Sequence, residues 1–236
     1  MRVTAAGAGH AVPAIPPPPE RGYRSGVTPT RFFLIRHAIV EPSARVVMYG
    51  DMDVAICSLA LAQESAAYAW LAGRLPEGAR WFHTPLSRTR ATAEAIFAAG
   101  YPTAALSVEP RFAEQHLGEW QGITYEALAR LLSEPPHPFW PHGAAERPPG
   151  GESLQDVIGR IGPALEEMAE RLEGMDVVIV AHGGSIRAAV AHAMGLDPHQ
   201  AFQLSVKNLS LTRLEKHGAH WRVASVNEEP PAGAAA

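Results

Sequence analysis

Two arginines, two histidines and one glutamate follow the predicted strands of this sequence. They stand in the stretches FFLIRHAIV, TPLSRTR, AEQHLGEW and VIVAHGGS, as Arg36, His37, Arg88, Glu114 and His182. Because ligands of open α/β sheets bind outside the carboxyl ends of the strands, we expect the five side chains to meet at one edge of a sheet.

The chemistry that such a set can perform is phosphoryl transfer. An arginine offers a planar fork of donors that matches phosphate oxygens and stays charged at any physiological pH. Gly183 follows His182 at the predicted start of a helix, where free backbone N–H groups can face an anion. A neutral imidazole beside such cations can attack phosphorus, and a carboxylate can protonate the leaving oxygen and later take a proton from water.

The elements that must hold these residues are predicted from alternating strand and helix patterns. Short apolar runs predict strands at 31–36, 79–84, 105–109 and 176–182. Longer segments with apolar residues at helical spacing predict helices at 58–75, 86–100 and 152–174. This alternation is typical of an α/β domain whose mostly parallel sheet is covered on both faces.

Two segments depart from that alternation. Near the C-terminus SLTRLE and HWRVASV flank KHGA, which predicts an antiparallel hairpin at the sheet edge. Residues 133–151 are dense in proline and glycine, and with the helix-like stretch GITYEALARLL they predict a small helical and loop cap insertion at about 115–151. Long irregular loops often bind ligands, so Phe139, Trp140 and His142 are candidate substrate contacts.

Composition bounds the remaining organisation. We predict one domain at 29–227, preceded by a proline-rich disordered arm at 1–28 and followed by a disordered tail at 228–236. The formal net charge of -4 disfavours a nucleic-acid partner, and no apolar run reaches the roughly 18–20 residues of a membrane helix. The single cysteine, Cys57, favours a reducing compartment, so we expect a cytoplasmic protein. The oligomeric state stays open, a homodimer included.

Five motifs also carry a family resemblance. LIRHA, TPLSRTRATAEAI, AEQHLGEWQG, PGGES and VIVAHGGSIRA occur in the order found in the histidine phosphatase superfamily. Over residues 31–215 the chain resembles the phosphoglycerate mutase-like group of that superfamily, its branch one. The resemblance implies a three-layer α/β/α sandwich and a phosphatase that acts on a small phosphomonoester without a metal ion or another cofactor.

The resemblance also implies a role for each candidate residue. His37 is the phosphoryl acceptor, and Glu114, the first residue of the E-x-x-x-G-x-W-x-G pattern, is the general acid and base. The remaining candidates form the phosphate pocket: Arg36, Arg88, His182 and Gly183.

Departures from the family patterns bear on the activity. Ala38 stands where the family usually has glycine after the nucleophile, and its methyl group could narrow the approach to the phosphate. The mutase members carry a polar pattern with an asparagine just beyond this position and an arginine-rich sequence after the acid; here the chain has IVEPS and QHLGEWQG. Both differences favour a phosphatase. YGDMDVAI, at 49–56, resembles alpha-ribazole phosphatase-like members.

Three other functions stay open at this point. One is a phosphoglycerate mutase or another phosphoryl transferase with the same machinery. Another is a protein phosphohistidine phosphatase, or a binding protein that reads phosphohistidine. The third is a metallohydrolase, since the sequence has 11 histidines. No histidine spacing gives a compact ligand pair such as H-E-x-x-H, so no metal site is expected.

Neighbouring residues of similar type have structural explanations. Arg90 cannot share a helix face with Arg88 and is expected in solvent, as is Glu119. Structural roles are also expected for Trp120 as a packed side chain, Glu152 in the first turn of a helix, and Ser185 as a helix N-cap.

Overall fold

The computed structural model describes residues 28–230. The predicted arm lies outside the described residues except for Thr28, and so do residues 231–236 of the predicted tail; the domain bounds stay a prediction. The described strands are β1 (Thr30–Arg36), β2 (Arg80–His83), β3 (Leu106–Val108), β4 (Asp176–Ala181), β5 (Leu211–His217) and β6 (His220–Glu228). The described α-helices are α1 (Ser58–Gln63), α2 (Ser65–Arg74), α3 (Ser87–Ala98), α4 (Tyr125–Leu128), α5 (Leu154–Arg171), α6 (Gly183–Met194) and α7 (Pro198–Phe202).

The strands of the described range form one sheet in the order β3-β2-β4-β1-β5-β6. The first four run parallel, whereas β5 lies antiparallel to β1 and β6 antiparallel to β5. The predicted parallel sheet with an antiparallel edge hairpin is therefore confirmed. In the strand register, Arg36 lies opposite Ala181 and His83 lies opposite Val180. The carboxyl ends of β1, β2 and β4 therefore lie at the same edge of the sheet.

Both faces of the sheet are covered. Phe32 and Leu34 of β1 belong to a buried apolar cluster that includes residues of α5 and α6. Phe33 and Ile35, which point the other way, belong to a second cluster with residues of α2 and α3. The apolar run of β1 is continuous because both of its faces are buried, and the expected three-layer α/β/α sandwich is confirmed. Across residues 28–230 no helix has the length and apolar character needed to cross a membrane.

Two predicted helices are shorter than their patterns suggested. The helix predicted at 58–75 breaks at Glu64 into α1 and α2; α1 has no fully buried residue, so packing contributes little to keep the two helices continuous. The helix-like stretch GITYEALARLL of the insertion forms only the single turn α4, which Thr124 caps by accepting a hydrogen bond from Ala127 N. Of α4 only Leu128 is buried, so packing does not extend the helix.

The proline- and glycine-rich part of the insertion, residues 133–151, packs against α7 through aromatic contacts. His137, Trp140 and His142 place their ring centroids 5.5, 5.3 and 5.4 Å from the ring of Phe202. The segment contains no strand or α-helix in the described residues, as its proline and glycine content predicted. It is anchored by side chains rather than by backbone ladders.

The attachment of the insertion is expected to weaken in acid. His142 is buried, which lowers its pKa, although the Gly143 carbonyl and the Glu146 carboxylate oppose that shift. A histidine with a lowered pKa in the folded state contributes stability that is present above its unfolded pKa of about 6.5 and is lost as pH falls towards the folded value. Urea titrations between pH 7.5 and 5.5 measure how the free energy of unfolding falls with pH. H142F should reduce this slope by up to about 1.4 kcal/mol per pH unit, which is the limit for one proton.

The matched control for this measurement is the exposed histidine His220. H220F should leave the pH slope at its wild-type value. An H142F protein with the wild-type slope would show that His142 does not titrate against folding.

Candidate active site

The end of β1 is fixed on both sides by backbone hydrogen bonds. His37 N donates to Ala181 O at 3.0 Å, and Leu209 N donates to Arg36 O at 3.0 Å. The side-chain amide of Asn208 donates to His37 O at 2.8 Å. These contacts from β4 and from the segment before β5 leave the Arg36–His37 pair little freedom to move.

His37 is held as a neutral imidazole with one defined tautomer. Its Nδ1 lies 2.7 Å from Ala38 O, and because a carbonyl oxygen can only accept, Nδ1 carries the hydrogen and Nε2 keeps its lone pair. The side chain is buried, and this burial, followed by the charges of Arg88 and Arg36, holds the pKa of His37 well below its usual value. The ring is therefore uncharged and can act as a nucleophile through Nε2.

His182 lies beside His37 at the start of α6. The two ring centroids are 5.1 Å apart, and His182 Nε2 lies 2.9 Å from Thr84 Oγ1. Burial first, and then the nearby His37 and Arg88, hold the pKa of His182 well below its usual value. Its Nδ1 is buried and has no hydrogen-bond partner within residues 28–230. A buried ring nitrogen of this kind is available to a ligand.

Arg88, in the first turn of α3, is fully buried, and its terminal nitrogens are already engaged. Nη1 donates to Met52 O at 2.6 Å and Nη2 to Gly50 O at 2.8 Å. Its Nε is buried without a partner in the described part of the chain. The side chain thus ties the loop of residues 50–52 to the site, and what it offers a phosphate is its charge and Nε.

Arg36 lies against the glycine that opens α6. Nη1 donates to Val206 O at 2.6 Å, and Nε is buried without a partner among the described residues. A Cβ atom at Gly183 would lie 3.5 Å from Arg36 Cζ and 3.0 Å from Arg187 Nη1. A side chain at Gly183 would crowd Arg187, whereas its distance to Arg36 would be an ordinary van der Waals contact.

Glu114 is bound to the same helix start. Gly184 N donates to its carboxylate at 3.1 Å to Oε1 and 3.3 Å to Oε2, and Gln115 N donates to Oε1 at 2.9 Å. A Cβ atom at Gly184 would overlap the carboxylate, so a larger residue there would displace the Glu114 side chain. The N–H groups at the start of a helix have no partner within the helix, so this position favours the negative charge of Glu114.

The loop that carries Glu114 is braced from α5. Arg160 Nη2 donates to Glu114 O at 3.1 Å, and Arg160 also forms an ion pair with Glu152 at 2.8 Å. Glu152 in turn accepts from His116 N at 3.0 Å. Glu152 lies one residue before the N-cap Ser153, not in the first turn of α5 as expected, and its contacts help to position the backbone of the predicted acid.

A cavity of about 280 Å³ opens beside these groups. Its lining combines predicted site residues with residues of the insertion: Arg36, Glu114, Gly183, Gly184, Phe139, Trp140, Pro141 and His142. His37 and His182 are the chain neighbours of the lining residues Arg36 and Gly183. The volume is slightly below the usual range for small-molecule sites, about 300–1,000 Å³.

The competing residues lie where the sequence placed them, with one exception. Arg90 and Glu119 are exposed, and Trp120 is buried in a small apolar cluster. Ser185 is not the N-cap of α6; the N-cap is His182, and Ser185 Oγ accepts a hydrogen bond from its backbone N–H at 3.1 Å. The helix begins three residues earlier than expected because Gly183, Gly184 and Ser185 are themselves helical.

Three residues that contact the site were not predicted. Thr84 orients His182, Asn208 holds the His37 carbonyl, and Arg187 lies against Gly183. Thr84 and Asn208 are single polar residues at strand ends, a signal too common to select them. Arg187 gave a clearer signal, since it is a lone charge in the apolar helix segment SIRAAVAHAM.

The methyl group of Ala38 packs into the core and does not face the cavity. Ala38 is buried in the apolar cluster of Ile35 and Val180, and its N–H donates to Thr92 Oγ1 at 2.9 Å. We therefore expect A38G to lower the free energy of unfolding by about 1–2 kcal/mol, through the lost buried methyl group and greater chain entropy. Its kcat/KM should stay within about twofold of the wild type, which corresponds to a change of less than about 0.5 kcal/mol in activation free energy. A large rise in kcat/KM would show that the methyl group restricts the approach of the substrate.

Comparisons with known proteins identify the family of this chain. The model of the histidine phosphatase superfamily (branch 1) matches residues 32–229. Glucosyl-3-phosphoglycerate phosphatase of Mycolicibacterium vanbaalenii is 34% identical over 180 residues, which cover 70% of this chain and 75% of that protein. The Mycobacterium tuberculosis protein of the same name is 32% identical over 205 residues, covering 80% and 86%.

A solved structure and a longer relative extend the comparison. The structure of mycobacterial glucosyl-3-phosphoglycerate phosphatase with VO3 superimposes with a TM-score of 0.70 at 28% identity, covering 85% of this chain and all of that one. The chain spans only half the length of the bifunctional protein Rv2228c of Mycobacterium tuberculosis, to which it is 29% identical over 188 residues. With the family model covering most of the sequence, the chain belongs to branch 1 of the histidine phosphatase superfamily.

Proposed function

We propose that the protein is a phosphatase that hydrolyses a small phosphomonoester through a phosphohistidine on His37, without a metal ion. The observation that carries this proposal is the state of His37. The ring is buried and neutral, and its Nδ1 hydrogen is committed to the Ala38 carbonyl, which leaves Nε2 as the one nucleophilic atom.

The reaction is proposed in two balanced steps. In the first, His37 Nε2 forms a bond to phosphorus while the bond from phosphorus to the leaving oxygen breaks, and protonated Glu114 gives its proton to that oxygen. In the second, Glu114 takes a proton from water, the water oxygen attacks phosphorus, and the P–N bond breaks to release inorganic phosphate. The position of Glu114 at the cavity wall supports both roles.

Stabilisation of the transferring group is proposed for the surrounding donors. With the Thr84 hydroxyl donating to His182 Nε2, the ring hydrogen is on Nδ1, which can then donate to a phosphate oxygen. Arg36 and Arg88 each have a buried Nε without a protein acceptor within the described range, and Gly183 adds a backbone N–H at the helix start. Preorganised donors of this kind stabilise the charge of the transition state, because they need no reorganisation during the reaction.

A substrate panel tests the proposed activity. Purified protein should release phosphate from p-nitrophenyl phosphate and from at least one of a set of sugar phosphates, nucleotides, phosphoglycerates and alpha-ribazole phosphate, ranked by kcat/KM. Release should persist with chelator present. Interconversion of 2- and 3-phosphoglycerate without phosphate release would replace the phosphatase by a mutase, and loss of activity with chelator would replace it by a metallohydrolase.

The cytoplasm is the proposed compartment, and a small molecule, not a nucleic acid, is the proposed partner. Cys57 is the single cysteine of the sequence and is a free, buried thiol, which supports a reducing environment. The net charge of -4 gives no basic field for a nucleic acid. Cell fractionation with detection of the protein in the membrane or exported fraction would contradict this assignment.

A further inference from the structure

Arg187 is a buried arginine to which neither the predicted site nor the proposed chemistry gives a role. It lies in the second turn of α6 with 5% of its surface exposed. Nε donates to Leu204 O at 2.9 Å, whereas Nη1 is buried and has no hydrogen-bond partner within residues 28–230. The guanidinium carbon lies 4.3 Å from the centre of the Trp140 ring. One cation-π contact and one hydrogen bond leave part of this charge uncompensated.

Arg160, a partly exposed arginine, shows how the charge of an arginine is compensated elsewhere in the same protein. Arg160 forms an ion pair with Glu152 and donates to the carbonyl oxygens of Arg111, Ala113 and Glu114. No carboxylate of the described residues forms an ion pair with Arg187. Keeping an unpaired charge buried is costly, so a purely structural role is a poor explanation for Arg187.

The surroundings of Arg187 place its free nitrogen beside the cavity. Nη1 would lie 3.0 Å from a Cβ atom at Gly183, and Gly183 and Trp140 both line the cavity. Arg36 lies at the other side of the same glycine position, with Cζ at 3.5 Å. Burial first, and then the charge of Arg36, lower the pKa of Arg187 to about 10, although the Glu114 carboxylate opposes this shift without forming an ion pair; Arg187 therefore remains charged at neutral pH.

Arg187 adds a positive charge to a site that already has two arginines, Arg36 and Arg88, for the transferring phosphoryl group. Arg36, Arg88 and His182 already offer buried nitrogens to that group. Arg187 contacts Trp140, which belongs to the insertion that lines the cavity together with Phe139. If the insertion contacts the leaving group, as the sequence predicts for Phe139 and Trp140, the contact with Trp140 puts Arg187 near that part of a substrate.

We infer that Arg187 is a specificity-determining residue that binds a second oxyanion, a carboxylate or a second phosphate, on the leaving group of the substrate. This inference rests on the proposed phosphatase function and narrows its substrate class to phosphomonoesters with an additional negative group. A charged hydrogen bond from a desolvated arginine contributes more than a neutral one, so such substrates are bound selectively.

Matched substrate pairs test the inference. For a carboxylate the pair is 3-phosphoglycerate and glycerol 3-phosphate, and for a phosphate it is propane-1,3-diyl bisphosphate and 3-hydroxypropyl phosphate. The wild type should prefer the charged member of at least one pair by about 10- to 100-fold in kcat/KM, the usual range for a charged hydrogen bond. R187M should lose most of that preference, R187K should recover part of it, and R90M, which removes an exposed arginine, should keep it whole.

The outcomes separate this inference from the function on which it rests. A wild type that hydrolyses both members of both pairs equally overturns the role of Arg187 and leaves the phosphatase intact, whether or not R187M folds. An R187M protein that loses activity equally on charged and neutral members also overturns it, since a merely structural residue would behave so. A wild type that hydrolyses neither these substrates nor p-nitrophenyl phosphate overturns both proposals. The pair that shows the preference identifies the oxyanion.

Discussion

H37A is expected to lower kcat for p-nitrophenyl phosphate by about 10⁴-fold or more, because the side chain removed is the proposed nucleophile. The neighbouring His182 cannot take over, since its Nε2 is engaged with Thr84 and its ring is held at the start of α6. Steady-state kinetics measure the loss, and thermal unfolding checks that the variant is folded.

The control for H37A is a histidine outside the site. H220A removes an exposed ring and should retain wild-type kcat. An H37A protein that is folded and retains turnover within about tenfold of the wild type, 1.4 kcal/mol in barrier, would show that another group attacks phosphorus.

E114Q is expected to separate the two steps of the reaction. Glutamine keeps an oxygen that can accept from Gly184 N and Gln115 N, so the loop should stay in place while the proton donor is lost. On alkyl phosphates, whose leaving oxygen needs a proton, kcat should fall by about 10²- to 10⁴-fold. With p-nitrophenyl phosphate the leaving group departs without an acid, so E114Q should release a rapid burst of nitrophenol. The following turnover should be slow, because hydrolysis of the phosphoenzyme lacks its general base.

The matched control is Glu119, an exposed carboxylate of the same motif. E119Q should show wild-type rates on both classes of substrate and no burst. An E114Q protein that loses equal activity on alkyl phosphates and on p-nitrophenyl phosphate, without a burst, would assign Glu114 to binding and another group to the proton.

The sequence predicted the sheet and the meeting of the site residues because both depend on strong local patterns. The run FFLI of β1 is buried on both faces, so its composition alone identifies a central strand. Once the parallel strands are placed, chain geometry requires Arg36, His37 and His182 to leave the sheet at the same edge. That part of the prediction needed no knowledge of side-chain contacts.

What the sequence could not predict depends on long-range contacts of single side chains. Both terminal nitrogens of Arg88 bind carbonyls of the loop at 50–52, a choice that only the folded chain presents. The break at Glu64 follows from the lack of buried residues in α1, which a helical pattern does not reveal. Ala38 differs from the family pattern, yet its methyl group packs in the core, so the substitution had to be judged in three dimensions.

The most direct test of the account is to trap the covalent intermediate. Protein mixed briefly with radiolabelled substrate and quenched with base should carry a label that is stable in alkali and lost in acid, as a phosphohistidine is, and peptide mapping should locate it on His37. E114Q should accumulate more of this species and H37A none. A label on another residue, a label stable in acid, or full turnover with no labelled protein at any quench time would contradict the central claim.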